Sequence, residues 1–128
     1  RIVSREEVAK ILMTAYALLL PLGSGDKSVE RGISSKLYEY QAAARPIVCC
    51  SQGASGNYVR QSKSGIVVRN GDYEGLANAI LYLYDNEDEA RKLGEAGRSI
   101  VEERFSIEQI SMRALDVIQH LVGNLETR

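Results

Sequence analysis

Hydrophobic positions along this chain recur at two spacings, and the switch between them divides it into elements. Ser4-Arg5-Glu6-Glu7 has the form of a capping box, with Ser4 as N-cap and Glu7 reaching back. Val8, Ile11 and Leu12 then follow at helical spacing. Tyr16 to Leu22 is a short apolar run closed by proline, and it predicts a strand buried on both faces. A long polar loop runs from Gly23 to about Ile33, and loops of this length in a compact domain are often functional. The pattern next predicts a helix from about Ser34 to Ala44 and a strand from Pro46 to Cys50. Ser51 to Asn57 is a loop of small residues, Tyr58 to Lys63 a short helix, and Gly65 to Arg69 a third strand ended by the Asn70-Gly71 turn. Beyond that turn the spacing is helical throughout. Asp72 caps a helix with Leu76, Ile80 and Leu83 on one face. Asn86 caps another, with Glu87, Asp88 and Glu89 in its first turn, where the helix dipole favours acids, and with Leu93, Ala96 and Ile100 as its apolar stripe. Ser106 to Gln109 is a second capping box, and Ile110, Ala114, Val117 and Leu121 form the stripe of the last helix.

Three buried strands joined through helices imply an α/β fold, a small parallel sheet with flanking helices in a Rossmann-like three-layer arrangement. No repeat, low-complexity tract or linker divides the chain. The expectation is a single domain over 1–128, with the α/β part at about 1–84 and closing helices at about 86–124. A length of 128 residues suits one modest core. The balance of 16 Lys+Arg against 17 Asp+Glu, a net charge of −1, does not supply the basic face that nucleic acid demands. No apolar run reaches the roughly 18 residues of a membrane span, and Arg1 to Glu6 is no signal peptide. Cys49 and Cys50 are adjacent at the end of an apolar run, so a strand points them to opposite faces. They read as buried free thiols, which fits a cytoplasmic protein. The chain starts without Met and runs straight into a helix, as a piece of a longer protein would.

Candidate chemistry concentrates where the polar loop meets the second helix. Gly32, Ile33, Ser34 and Ser35 offer backbone N–H groups and hydroxyls to a diphosphate. On local sequence alone, an ordinary βα loop capped by Ser34 is the commoner arrangement. Ser35 and Glu39 are i and i+4 and share a helix face, so a ligand held at the helix start lies close to that carboxylate. A carboxylate accepts from two hydroxyls at once, as a ribose diol requires; the alternative is a solvated glutamate or one paired with Lys36. Lys27, Arg31 and Lys36 gather cations that would stabilise a departing diphosphate without a metal. The alternative is a solvated loop balanced by Asp26 and Glu30. Other patterns fail. Gly25-Asp26-Lys27-Ser28 lacks the upstream glycine of a P-loop, and Gly23-Ser24-Gly25 does not extend to G-x-G-x-x-G. The single histidine, His120, has no visible Ser or Cys partner, and no cluster has zinc-ligand spacing.

Taken in order, these segments carry a resemblance. A strand ends in proline; a loop leads to Gly32-Ile33-Ser34-Ser35-Lys36-Leu37-Tyr38-Glu39-Tyr40; Arg45-Pro46-Ile47-Val48 opens the next strand; Gly65-Ile66-Val67-Val68 and Gly71-Asp72-Tyr73-Glu74-Gly75-Leu76-Ala77 follow. The order closely resembles the C-terminal domain of the group 1 glycosyltransferases, the large retaining GT-B family. The similarity runs from about Ser4 to Leu121 and is most specific from Ser35 to Val48. It implies the second half of a GT-B C-terminal domain, which binds a nucleotide-activated sugar in a cleft against an N-terminal acceptor domain. The family pattern has two glutamates eight residues apart. Glu39 matches the second, which holds ribose. Arg31 stands where the first would contact the donor sugar, and Glu30 is its neighbour. The Ser-Lys-hydrophobic-Tyr-Glu pattern is similar to that of capsule and antigen branches of the family. Ala44 stands where the family has a glycine ending the helix in a left-handed conformation, at a cost of about 1 kcal/mol if the geometry is kept. Asn57 falls near a position that is often acidic.

The resemblance implies a hexosyltransferase-type enzyme of polysaccharide biosynthesis. It would move a sugar from a nucleoside diphosphate to a hydroxyl acceptor, with no cofactor and no required metal. Its donor site would comprise Glu30, Arg31, Gly32, Ile33, Ser34, Ser35, Lys36 and Glu39. No catalytic base is assigned, because enzymes of this type are thought to use the leaving phosphate. The family domain begins with further strands that carry the base-contacting segment, so this chain alone is expected to be inactive and at best a weak nucleotide binder. Peripheral membrane association would belong to the parent protein, and the open edge of the first strand invites dimerisation. Two other classes stay open, a sugar-nucleotide epimerase of similar fold and a non-catalytic α/β module in which Arg31 marks a lost sugar site. A phospho-receiver domain is discounted because Tyr16–Leu22 and Pro46–Cys50 end without clustered acids.

Overall fold

Three strands, β1 (Leu18–Pro21), β2 (Ile47–Cys50) and β3 (Gly65–Val68), pair in parallel in the order β1-β2-β3. Leu18 stands opposite Ile47, and Ile47 opposite Gly65. The computed structural model describes residues 2–23 and 30–126, and the Lys27 and Asp26 of the expected charged loop lie outside them. Parallel neighbours need a crossover, and α2 (Lys36–Ala42) and α3 (Ala54–Gln61) supply the two. Helix α1 (Arg5–Thr14) precedes β1; α4 (Tyr73–Asp85), α5 (Glu87–Arg104) and α6 (Ile107–Glu126) follow β3.

Side chains alternate along a strand, so β2 builds two cores. Ile47 and Cys49 join Leu20, Leu37 and Val59 under α2 and α3. Val48 joins Val68, Ala79, Leu83 and Ala90 under α4 and α5. The two thiols accordingly face opposite sides, Cys49 buried and Cys50 half-buried, and both are free. Burial pushes the Cys49 thiol up to about 11. No helix among the described residues is long and apolar enough to cross a membrane.

Several elements differ from expectation for identifiable reasons. β1 alternates between buried and exposed positions rather than being buried on both faces, and Leu19 is 43% exposed. It is an edge strand, and α2 is the helix that packs most on it among the described residues. α2 is seven residues long, shorter than the expected span from Ser34 to Ala44. α3 begins at Ala54, four residues before the expected start. Ser55 and Gly56 are small because the helix start is buried against the end of β2, not because the chain turns there. The first capping box is present, with the Ser4 N–H donating to Glu7 Oε2 at 2.8 Å and the Glu7 N–H to Ser4 Oγ at 3.2 Å. Asp72 caps α4 by accepting from the Gly75 N–H at 2.8 Å, whereas Asn86 makes no side-chain capping bond to α5 and instead donates from Nδ2 to the Tyr82 carbonyl at 2.8 Å. Of the second box, the half in which the Gln109 N–H donates to Ser106 Oγ is present. The stripe of α6 is exposed, with Ile110, Val117 and Leu121 all open to solvent.

Ala44 keeps the left-handed geometry, with φ 55°, and α5 packs on it through Gly94, where a Cβ would come within 2.8 Å of the Ala44 carbonyl carbon. An L-residue in that conformation is strained by about 1–2 kcal/mol, and part of the relief on mutation is offset by the greater freedom of an unfolded glycine. Ala44→Gly is therefore expected to raise stability by about 0.5–1 kcal/mol, read as a higher urea midpoint at unchanged m-value. The Cys49 thiol supplies a pH signature. Its folded value lies near 11 against an ordinary 9.0, so the unfolded chain loses this proton first. Stability should fall as pH rises from about 9 towards 11, and Cys49→Ala should reduce that decline in urea melts across the range.

Candidate functional site

Parallel strands present their carboxyl ends together, and ligands bind α/β sheets in the crevice beyond those ends. Here a cavity of about 190 Å³ lies there, lined by Gly23, Glu30, Ser51, Gln52, Gly53 and Asn70. Asn70, with its amide nitrogen turned towards the strand-end carbonyls, donates to Leu22 O at 3.0 Å and to Cys50 O. It thus reaches from the end of β3 across β2 to β1. Gly53 is the N-cap of α3 and has no side chain to cap with. A Cβ at this position would lie within 2.8 Å of the Glu30 Cα and closer still to its carbonyl oxygen, so the absence of a side chain lets the incoming segment approach, which is helical at Glu30 and Arg31 where a loop was expected.

The loop entering α2 is held from inside by Ser55. The Ser34 N–H donates to Ser55 Oγ at 2.9 Å, and Ser55 Oγ donates to the Gly32 carbonyl at 3.2 Å. Of the N–H groups expected to face a diphosphate, that of Ser34 is therefore committed. Those of Ser35 and Lys36 donate to no partner among the described residues. Ser35, not Ser34, is the N-cap of α2, and it makes no side-chain capping bond. Neither serine hydroxyl has a hydrogen-bond partner among the described residues. A seven-residue helix carries a weaker terminal field than the longer helix expected, so an anion placed here would rely more on these hydroxyls and on Lys36.

Further along α2 the inward face is fixed by a buried amide. Gln41 is fully buried, its Nε2 donating to Ser62 Oγ at 3.2 Å and Ser64 Oγ at 3.1 Å, while Tyr58 OH donates to its Oε1 at 2.9 Å. With Leu37 and Gln41 turned inward, Glu39 lies about 200° around the helix from each and faces outward. It lines a groove of about 740 Å³ between α1 and α2, walled by Val8, Ala9, Leu12, Ala42 and Ala43 and flanked by Arg5 and Arg98. Lys36, Glu39 and Ala43 follow one another along this face of α2.

The predicted site residues are thus divided between two concavities. Glu30 lines the cavity at the strand ends and Glu39 the α1–α2 groove. Gly32, Ile33, Ser34, Ser35 and Lys36 form the stretch between, and Arg31 is exposed beside Glu30. Ser55 and Asn70 escaped the sequence reading as site residues, since a serine in a small-residue loop and an asparagine in a turn are both explained locally. The Val8-Leu12 wall of the groove was legible as the apolar stripe of α1.

Comparison with known proteins gives a consistent picture. The family described as "Glycosyl transferases group 1" matches residues 2–86. The O-antigen chain mannosyltransferase C of Escherichia coli is 32% identical over 75 residues, which cover 58% of this chain and 20% of that protein. The sucrose-phosphate synthase of Thermosynechococcus elongatus has a similar fold, with a TM-score of 0.77 and 23% identity over 95% of this chain and 29% of that one. The Anabaena protein HepE, solved in complex with UDP, superposes with a TM-score of 0.76 at 14% identity, covering 91% of this chain and 30% of its own. The chain spans between 19% and 32% of the length of the curated relatives it matches. Gly53→Ala is expected to cost about 1–3 kcal/mol by overpacking against Glu30, seen as a lower urea midpoint together with shifted amide resonances from Glu30 to Ser34.

Proposed function

The chain belongs to the group 1 glycosyl transferases, and on that premise we propose that it binds the nucleoside diphosphate sugar whose sugar the whole enzyme passes to a hydroxyl acceptor. The observation that carries this reading is the outward face of α2. Lys36 stands at its first residue, Glu39 one turn on, and Ala42 and Ala43 one turn further, where the helix meets the apolar side chains of α1. At about 1.5 Å per residue Lys36 and Glu39 lie about 4.5 Å apart along the axis, in the order phosphate, ribose.

In this reading Lys36, Arg31 and the hydroxyls of Ser34 and Ser35 take the diphosphate, with the N–H groups of Ser35 and Lys36 beside them. Gly32 and Ile33 carry no bulky polar group that would bar a close approach. Two cations then offset the charge that gathers on the leaving diphosphate, which is where preorganised charge accelerates group transfer. Glu39 accepts from the ribose hydroxyls, with Arg5 and Arg98 flanking the same groove. Glu30, at the strand-end cavity, takes hydroxyls of the donor sugar with Asn70 and Gln52 nearby. The acceptor side belongs to parts of the longer protein. The UDP bound in the solved Anabaena neighbour supports a nucleoside diphosphate as the ligand class.

The test is an NMR titration of the chain with UDP, GDP and their sugar derivatives. Amide shifts should gather at residues 32–39 and along α1. Glu39→Ala removes a charged acceptor and should weaken the nucleotide by about 1.5 kcal/mol or more, roughly tenfold. Shifts elsewhere, or an unchanged affinity in Glu39→Ala, would refute the assignment.

A further inference from the structure

We propose that Ser55 is a positioning residue for diphosphate recognition, acting through Ser34 and Lys36 rather than by touching the ligand. The inference rests on the donor-binding reading above and adds to it a residue from a different element. Ser55 lies in the first turn of α3 and is completely buried, so its hydroxyl cannot reach a ligand in the cleft. A hydroxyl can donate once and accept, and this one does both to the same loop. It accepts from the Ser34 N–H at 2.9 Å and donates to the Gly32 carbonyl at 3.2 Å.

The pair of bonds has a directional consequence. A loop that binds an anion must keep its carbonyl oxygens away from the ligand and present donors to it. Ser55 draws the Gly32 carbonyl inward, away from the exposed side of the loop. The bond to the Ser34 N–H then fixes the peptide plane just before Ser34. Together they leave the Ser34 and Ser35 hydroxyls and the Lys36 ammonium on the outer side. Gly53, two residues earlier, holds the same loop at Glu30 by close backbone approach. The segment is therefore pinned to the start of α3 at both ends, and among the described residues the Ser55 end is the one made of hydrogen bonds that a side-chain change can remove.

The experiment compares wild type with Ser55→Ala and Ser55→Thr, titrated with UDP, GDP, uridine and guanosine and followed by backbone amide NMR. The ratio of diphosphate to nucleoside affinity is the readout, because general loosening of the fold would weaken both ligands alike. Ser55→Ala should lose about tenfold in affinity for the diphosphate and keep its nucleoside affinity. Ser55→Thr retains the hydroxyl and should keep the wild-type ratio. Amide exchange in the wild type gives a second measurement should either variant not fold: the Ser34 N–H should be protected before ligand is added, and those of Ser35 and Lys36 only afterwards. If wild type binds the diphosphate with shifts at residues 32–39 but Ser55→Ala keeps the ratio, the role of Ser55 is refuted and the donor reading stands. A Ser34 N–H that exchanges as fast as those of Ser35 and Lys36 refutes it equally. If neither diphosphate shifts those amides in the wild type, both readings fall together.

Discussion

A strand packed on both faces and paired on both edges has nowhere to place a polar side chain, and β2 is such a strand. Ile47, Val48 and Cys49 are fully buried, between β1 and β3 in the plane and between two helical layers above and below. The rest of the structure follows from satisfying it. Parallel pairing forces each connection to cross over as a helix, and it brings every strand end with its following loop to the same edge of the sheet. Polar groups excluded from the strand gather at that edge, where Ser51, Asn70 and the segment from Glu30 to Ser35 meet.

The edge is tight because small residues permit it. Gly53 lets the loop at Glu30 lie on the start of α3, and Ser55 then spans the remaining gap with two hydrogen bonds. The same economy of volume fixes the far end of α2. Ala44 takes a left-handed turn that allows β2 to begin at once, and Gly94 lets α5 pack on that turn. α2 is therefore anchored at its start by α3, along its buried face by the Gln41 amide, and at its end by α5. The side chains on its outer face, Lys36 and Glu39, inherit that rigidity, and rigid placement is what a binding site requires of its supporting elements.

Helices α1 and α6 stand in contrast. α1 has no buried residue, and α6 leaves Ile110, Val117 and Leu121 exposed. Their amphipathic patterns were plain in the sequence, but such a pattern states only that a face is apolar. Which surface covers it depends on what lies opposite. In α1 the apolar stripe forms a wall of the groove that holds Glu39, so a feature that reads as core packing becomes part of the candidate site.

Much of the fold was legible by itself. Strand positions, the caps at Ser4 and Asp72, the parallel topology and the family resemblance all rest on local spacing or on order along the chain. That Glu39 lies one turn into the helix after the Gly32–Ser35 stretch was legible too, because helical periodicity fixes what shares a face. Burial of β1 was not, since an apolar run does not reveal whether a second layer extends over it. Nor were the length of α2 and the early start of α3, because the small residues at 53–56 serve close packing and turn formation with the same composition. The partition of Glu30 and Glu39 into separate concavities, the span of Asn70 across the sheet, and the bracing of Gly32 and Ser34 by Ser55 were decided by tertiary structure alone. Each joins residues from different crossovers, and a distance between elements that meet only after the sheet has closed leaves no periodicity for the sequence to display.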